Sequence, residues 1–465
     1  MEITGTYTDQ YQLTMAQAYF NNGRKDEKAV FDYFFRKLPY DGGYAVFAGL
    51  EILLDVLEKL KFDDTDIEFL SNQGFDAAFI DYLRKFEFTG TIYSSREGDV
   101  VFPTRPVLVV EGTLPEAQIV ETLLLNILNY HTLIATKASR IRLVAGERKL
   151  IDFGMRRAHS TAAYHASRAA VIGGFNATSN VKAAKDFDIP VSGTMAHAFV
   201  QSFDEELEAF QNFANVWPEN CVLLVDTYDT LKSGLPNAIK VAKELEESGN
   251  RLKGIRLDSG DLAYLAKKSR QMLDDAGLEY VQIAASNQLD EYVIKSLLDQ
   301  GAPIDVFGVG TSLVIGRPDA ALDGVYKLVY ANEKPRIKLS ESTAKITLPD
   351  KKQVYRIYNT KGEPIGADLV ALANEESMDL MHHPFDVLRQ MKLANCKREP
   401  LLNKVMENGK RSGDPRSVSE IAEYAKERLG ALPEEYKRFD NPHIYKVGLS
   451  TRLNDARNEL INQYK

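Results

Sequence analysis

Seven apolar, β-leaning runs recur through the middle of the chain, and nearly every one begins apolar and ends polar. They are LIDFG at Leu150, VIGGFNATS at Val171, IPVSGTMAH at Ile189, CVLLVDTYD at Cys221, KGIRLDSGD at Lys253, YVQIAASNQ at Tyr280 and IDVFGVGTS at Ile304. They start roughly 18 to 32 residues apart, with helical patterns such as DLAYLAKKSRQMLDDAG between several of them, close to the roughly 31 residues per unit of an eight-unit barrel. Repeated β-then-α units make parallel sheet, either a barrel or a doubly wound sheet. The polar ends are Arg156, Ser179, His197, Asp226, Asp258, Asn287 and Thr311. A barrel gathers such ends on one rim, whereas a doubly wound sheet concentrates function at one or two loops. The spread over all seven runs predicts an α/β fold with an irregular parallel β/α barrel.

At 465 residues the chain exceeds one ordinary core, and 44% hydrophobic residues suffice for several. Residues 1–145 read as an α+β domain, with helical spacing at Ile52, Leu53, Val56, Leu57 and Leu60, strand-like VFDYFF and PVLVVEG, and a long buried helix from ETLLL to RLVAG. The barrel takes 146–324. Residues 325–465 read as a meander of four short strands (VYKLVY, RIKLS, KITLP, QVYRIYN) followed by a helical, charged remainder that packs on the N-terminal domain. A net charge of −9 with mixed signs argues against nucleic acid as a partner. Cys221 and Cys396 match no zinc spacing. Without a signal-like N-terminus or an uninterrupted apolar stretch of about 18 residues, a cytoplasmic protein away from membranes is expected.

GIRLDSGD carries the most chemistry. Arg256 and Asp258 lie two positions apart, hence on one side of a strand. The arginine offers a bidentate partner to carboxylate or phosphate, and the aspartate a hard oxygen to Mg²⁺; the plain alternative is a salt bridge between them. FGVGTS lets backbone approach an anion closely at Gly308 and Gly310. In LLVDTYD one aspartate suits a histidine ring N–H, while Asp229 or Thr230 suits a helix N-cap. His197 is a ligand, a base, a nucleophile or an ordinary helix start. The other histidines, 131, 159, 165, 382, 383 and 443, miss the strand ends, so a multi-histidine metal hydrolase is disfavoured. Phe153 in FGMRR and Tyr11 in TDQYQ are core aromatics by default, or the two faces of a slot for a planar ligand.

In order, TDQYQLTM, FDYFFRKLPYDGGYAVFAGLE, FGMRRAHS, GGFNATSN, GTMAHAFVQSF, LLVDTYDT, IRLDSGDL and FGVGTSLV resemble the nicotinate phosphoribosyltransferase family over most of the chain. The resemblance implies an α+β domain beside an irregular barrel, paired into homodimers with shared active sites. It implies transfer of phosphoribose from 5-phosphoribosyl-1-diphosphate to nicotinate, giving nicotinate mononucleotide and diphosphate, with Mg²⁺ and coupled ATP hydrolysis, as a step in NAD salvage. By resemblance His197 becomes a phosphohistidine, Asp226 pairs with it, and Asp258 binds ribose hydroxyls or Mg²⁺. The pyridine ring would lie between Phe153 and a Tyr11 lent by the other copy, with Arg256, Arg156 and Thr194 near its carboxylate. Asn287, Gly308, Gly310 and Thr311 would hold the ribose phosphate. Ser179 stands where nicotinamide-using relatives carry an aspartate, which favours the anionic base.

The acidic pair and TSGGT-like loop of type I phosphoribosyltransferases are missing, as is a GxxxxGK[ST] loop for ATP. The remaining alternatives are the nicotinamide enzyme, a sugar-phosphate isomerase or lyase, and a non-catalytic barrel binding a nucleotide or sugar phosphate.

Overall fold

The computed structural model describes residues 3–341 and 345–464. The chain divides into two compact units: residues 1–133, 321–416 and 423–465 form the first, and 134–320 with 417–422 the second. The division falls inside a 25-residue helix, Glu121–Ala145, rather than at 145. Residues 131–141 of that helix are buried on every side, including Lys137 and Arg140, whose charges are met by Glu291 at 2.5 and 2.9 Å.

In the first unit an antiparallel sheet of seven strands is centred on Lys28–Phe35 and Leu108–Thr113. Phe31, Tyr33 and Phe35 point from one face into a core shared with Leu50, Leu53 and Leu57 of the helix Leu50–Leu57, the period of two meeting the period of 3.6. The expected C-terminal runs pair differently. Gly324–Ala331 pairs along its length with Lys28–Phe35, where its buried positions complete that core, and only its last two residues pair with the neighbouring Lys334–Pro335. RIKLS and KITLP form no strand; Ser342–Ala344 between them lie outside the described residues. Lys352–Tyr358 pairs with Pro364–Leu372 in a second, six-stranded sheet, so the segment expected to be helical also carries strands, ahead of the helices Val418–Ala431 and Thr451–Gln463.

The second unit holds six parallel strands in the order Ala177–Thr178, Lys149–Asp152, Val306–Val309, Gln282–Ser286, Gly254–Leu257, Val222–Leu224. Read as a ring this is chain order, and the last strand pairs with the first, Phe307 opposite Leu150. Such pairing is what closing a barrel demands. Val191 adds a single parallel bridge to Thr178. Between Val191 and Val222 the ring is spanned by the Thr194 hydroxyl, which donates to the Val222 carbonyl at 2.5 Å. The Val171 run is mostly not strand: the helix Thr161–Ile172 absorbs its start, and Gly173 ends that helix. Outer helices turn one apolar stripe inward, as in Leu235–Glu247, where Leu235, Ala238, Val241, Ala242 and Leu245 are buried. Asp229, Asp261 and Asp290 cap the helices that follow three strand ends.

Candidate active site on the barrel rim

Asp226 follows Val222–Leu224 and is almost fully buried. Its Oδ2 accepts from the Asp258 N–H at 2.8 Å and the Ser259 hydroxyl at 2.7 Å, while its buried Oδ1 has no hydrogen-bond partner. His197 opens the short helix His197–Gln201 with its side chain 38% exposed. Its Nδ1 meets Thr227 Oγ1 at 3.1 Å. Its Nε2 lies 4.0 Å from Asp226 Oδ1 and 3.9 Å from Asp258 Oδ2, too long for hydrogen bonds. Asp258 Oδ1 is held by the Ser286 hydroxyl. One ring edge is thus anchored and the other faces two carboxylates. Thr227, Ser259 and Ser286 were not singled out from sequence; the only hint is that the first two follow an aspartate.

Arg256, two residues before Asp258, forms no ion pair with it among the described residues. Its Nε is buried without a hydrogen-bond partner, and its guanidinium carbon lies 6.0 Å from the centre of the Phe153 ring. Burial lowers its pKa, Asp258 and Asp226 oppose that, and Arg156 adds to it, which places exposed Arg156 within electrostatic reach. Phe153 packs on Ile151, Ala177 and Val306. Gly308 is required by this packing, since a Cβ there would sit 2.3 Å from the Phe153 ring. Phe153, Arg256, Thr194 and Gly308 line a cavity of about 540 Å³ together with Lys149 and Lys253. Thr194 commits its hydroxyl to Val222, as above. Ser179 is partly buried and donates its N–H to the Asp152 carbonyl at 2.8 Å.

Gly310 precedes the four-residue helix Thr311–Val314, and Thr311 is exposed. Asn287 follows Gln282–Ser286 with φ +81°, an uncommon conformation for a side-chain-bearing residue. Tyr11 belongs to the first unit, on the helix Gln10–Asn21, and is 50% exposed. It is not among the residues the second unit gathers.

No group of three or more metal-ligating side chains occurs among the described residues. Mg²⁺ is often held by one or two carboxylates and completed by substrate phosphates. The unpartnered Asp226 Oδ1 and the outward Asp258 Oδ2 fit that donor set. No helix among the described residues is long and apolar enough to cross a membrane.

Three family models match: the nicotinate phosphoribosyltransferase (NAPRTase) N-terminal domain over residues 6–129, the NAPRTase family over 148–387 and the C-terminal domain over 351–457. A nicotinate phosphoribosyltransferase of Bacillus subtilis is 47% identical over 454 residues, covering 96% of this chain and 92% of that protein. The crystal structure of human nicotinic acid phosphoribosyltransferase superposes with a TM-score of 0.87 at 32% identity, covering 97% of this chain and 99% of that one. A nicotinate-nucleotide pyrophosphorylase structure from Pyrococcus furiosus gives 0.72 at 27% identity, covering 92% and 95%.

Proposed function

This chain belongs to the nicotinate phosphoribosyltransferase family, and from that premise we propose that its rim joins nicotinate to 5-phosphoribosyl-1-diphosphate and couples the transfer to ATP hydrolysis through a phosphohistidine at His197. The observation that carries the reading is the juxtaposition of His197, Asp226 and Asp258 around one ring nitrogen, beside a cationic, aromatic-lined cavity.

The base enters over Phe153 with its carboxylate toward Arg256, whose buried guanidinium has donor capacity to spare. Ser179 puts no negative charge beside that carboxylate. The pyridine nitrogen then attacks the anomeric carbon as the bond to diphosphate breaks. The sugar is oxocarbenium-like at that point, so the chain's task is to hold the reactants in line and stabilise the leaving charge rather than to supply a strong base. The ribose phosphate would rest on Gly308, Gly310 and Thr311, with Asn287 on the neighbouring loop. Mg²⁺ held by Asp258 with Asp226 would supply neutralisation of diphosphate charge. Thr227 fixes Nδ1, leaving Nε2 to take the γ-phosphoryl group of ATP as ADP departs. Water later cleaves the P–N bond, releasing phosphate and restoring the imidazole. We place the reaction in NAD salvage and take the assembly as a homodimer in which Tyr11 of one copy covers the base bound by the other.

The test is turnover with Mg²⁺, 5-phosphoribosyl-1-diphosphate and either nicotinate or nicotinamide, with and without ATP, for the natural chain and His197→Ala. Nicotinate-specific product formation that ATP accelerates, with the acceleration lost in the variant, is expected. Turnover of nicotinamide instead would overturn the reading of Ser179. No turnover of either base would favour a non-catalytic barrel.

A further inference from the structure

Asp152 ends the first barrel strand and is fully buried, yet no part of the chemistry above uses it. Burying a carboxylate is costly, and replacing buried charge by well-packed apolar groups is often neutral or stabilising. Here the carboxylate ties three segments together. Oδ1 accepts from the Gly154 N–H at 2.8 Å. Oδ2 accepts from the Ser167 hydroxyl at 2.7 Å and the Thr178 hydroxyl at 2.8 Å. Thr178 Oγ1 in turn accepts the Asn180 N–H at 3.0 Å, and the Asp152 carbonyl takes the Ser179 N–H at 2.8 Å. Ser167 and Thr178 are themselves fully buried, so none of these bonds competes with water. Burial raises the carboxyl's pKa, and the three hydrogen bonds act against that rise.

The consequence is geometric. The peptide after Asp152 carries Phe153, and the Gly154 N–H fixes how that peptide turns. The two bonds into residues 178–180 fix Ser179 on the neighbouring strand end. We infer that Asp152, through Thr178 and Gly154, is the positioning residue that sets the separation of Phe153 and Ser179 and thereby the fit of the base, leaving the ribosyl and diphosphate sites untouched. This rests on the reading that Phe153 and Ser179 flank the nicotinate.

An amide cannot replace the carboxylate here: with three donors aimed at two oxygens, an Asn NH₂ must face at least one of them. The experiment measures KM for nicotinate, KM for 5-phosphoribosyl-1-diphosphate and kcat for Asp152→Asn, Thr178→Val, Thr178→Ser and Phe153→Leu. Thr178→Val keeps β-branching and size while removing the hydroxyl, so it serves even if Asp152→Asn does not fold. KM for nicotinate should rise about tenfold in Asp152→Asn and Thr178→Val, the scale of losing one hydrogen bond to a charged group, with the other two constants near those of the natural chain and Thr178→Ser restoring the natural value. An equal loss in all three constants would reduce Asp152 to general structural support and overturn the inference. So would an unchanged nicotinate KM in Thr178→Val while Phe153→Leu raises it. If Phe153→Leu also leaves that KM unchanged, the base pocket itself has been misplaced and the inference falls with it.

Discussion

Two clusters in this molecule each set two aspartates beside basic side chains and behave in opposite ways. In the first unit Arg105, Arg356 and Arg428 interlock with Asp99 and Asp368. Arg105 Nε lies 2.8 Å from Asp368, Arg356 reaches both aspartates at 3.1 Å, Arg428 Nε lies 2.8 Å from Asp99, and the Tyr445 hydroxyl donates to Asp368 at 2.8 Å. Nearly all of it is buried. On the barrel rim, His197 Nε2 stands 3.9–4.0 Å from the Asp226 and Asp258 carboxylates, and one buried carboxylate oxygen has no hydrogen-bond partner. The first cluster is closed in charge: with Glu399 at 3.0 Å from Arg428, three arginines meet three carboxylates at 2.8–3.1 Å, although Nη2 of Arg105 and of Arg428 keeps no hydrogen-bond partner. The second is open, and its unmet valences are what a substrate, cation or phosphoryl group can engage.

That contrast can be broken by substitution. The largest expected effect is in the closed cluster. Asp368→Ala strands Arg105, leaves Arg356 with Asp99 as its one remaining carboxylate in the cluster, and should cost about 3–5 kcal/mol of stability, seen as a lower urea midpoint, while kcat per folded molecule is preserved. Lost turnover at unchanged stability would show that the closed cluster also serves the chemistry. The mirror case is Asp258→Asn on the rim. It should change stability by no more than about 0.5 kcal/mol and lower kcat by about 10²–10³, as removing one oriented electrostatic group does elsewhere.

Next comes Arg256→Lys, which keeps the charge but loses the planar fork. Its expected cost is a rise of about tenfold to a hundredfold in nicotinate KM, with KM for 5-phosphoribosyl-1-diphosphate near that of the natural chain. Equal rises in both constants would remove Arg256 from carboxylate recognition.

The smallest effect probes whether the interior beneath the rim is as closed as it looks. Cys221, fully buried just before Val222–Leu224, has its thiol pushed up to about 12 by burial. An unfolded cysteine titrates near 8.5. Above about pH 8.5 the unfolded chain therefore releases this proton before the folded one does, so stability falls as pH rises through that window. Cys221→Ala should flatten that part of the stability profile, and thiol alkylation of the folded protein at pH 8.5 should mark Cys396 and spare Cys221. Rapid labelling of Cys221 would mean that the barrel wall opens.

Much of the site was legible because a strand end followed by a helix start is a local pattern. The runs ending at His197, Asp226 and Asp258 did deliver those residues to one rim. The helix caps at Asp229, Asp261 and Asp290 follow from side chains meeting backbone two or three residues away. Asp152 was missed because it reads as the polar end of an ordinary strand, and its donors come from 2, 15 and 26 residues along the chain. Thr227, Ser259 and Ser286 were missed for a similar reason. The runs RIKLS and KITLP misled because alternation alone does not provide a partner, and the partner of Gly324–Ala331 is almost three hundred residues away.

The sequence by itself determined the alternation of strand and helix, the polarity of each strand end, the caps and, through its motifs, the family. All of these depend on side chains within a few positions of one another. Only the tertiary structure decided that the last barrel strand closes on the first, that Thr194 spans the gap in the ring, that Arg256 and Asp258 do not pair, and that one oxygen of Asp226 lacks a hydrogen-bond partner beside His197. These outcomes depend on which distant residues compete for each hydrogen bond once the chain is packed, and no local spacing fixes the result of that competition.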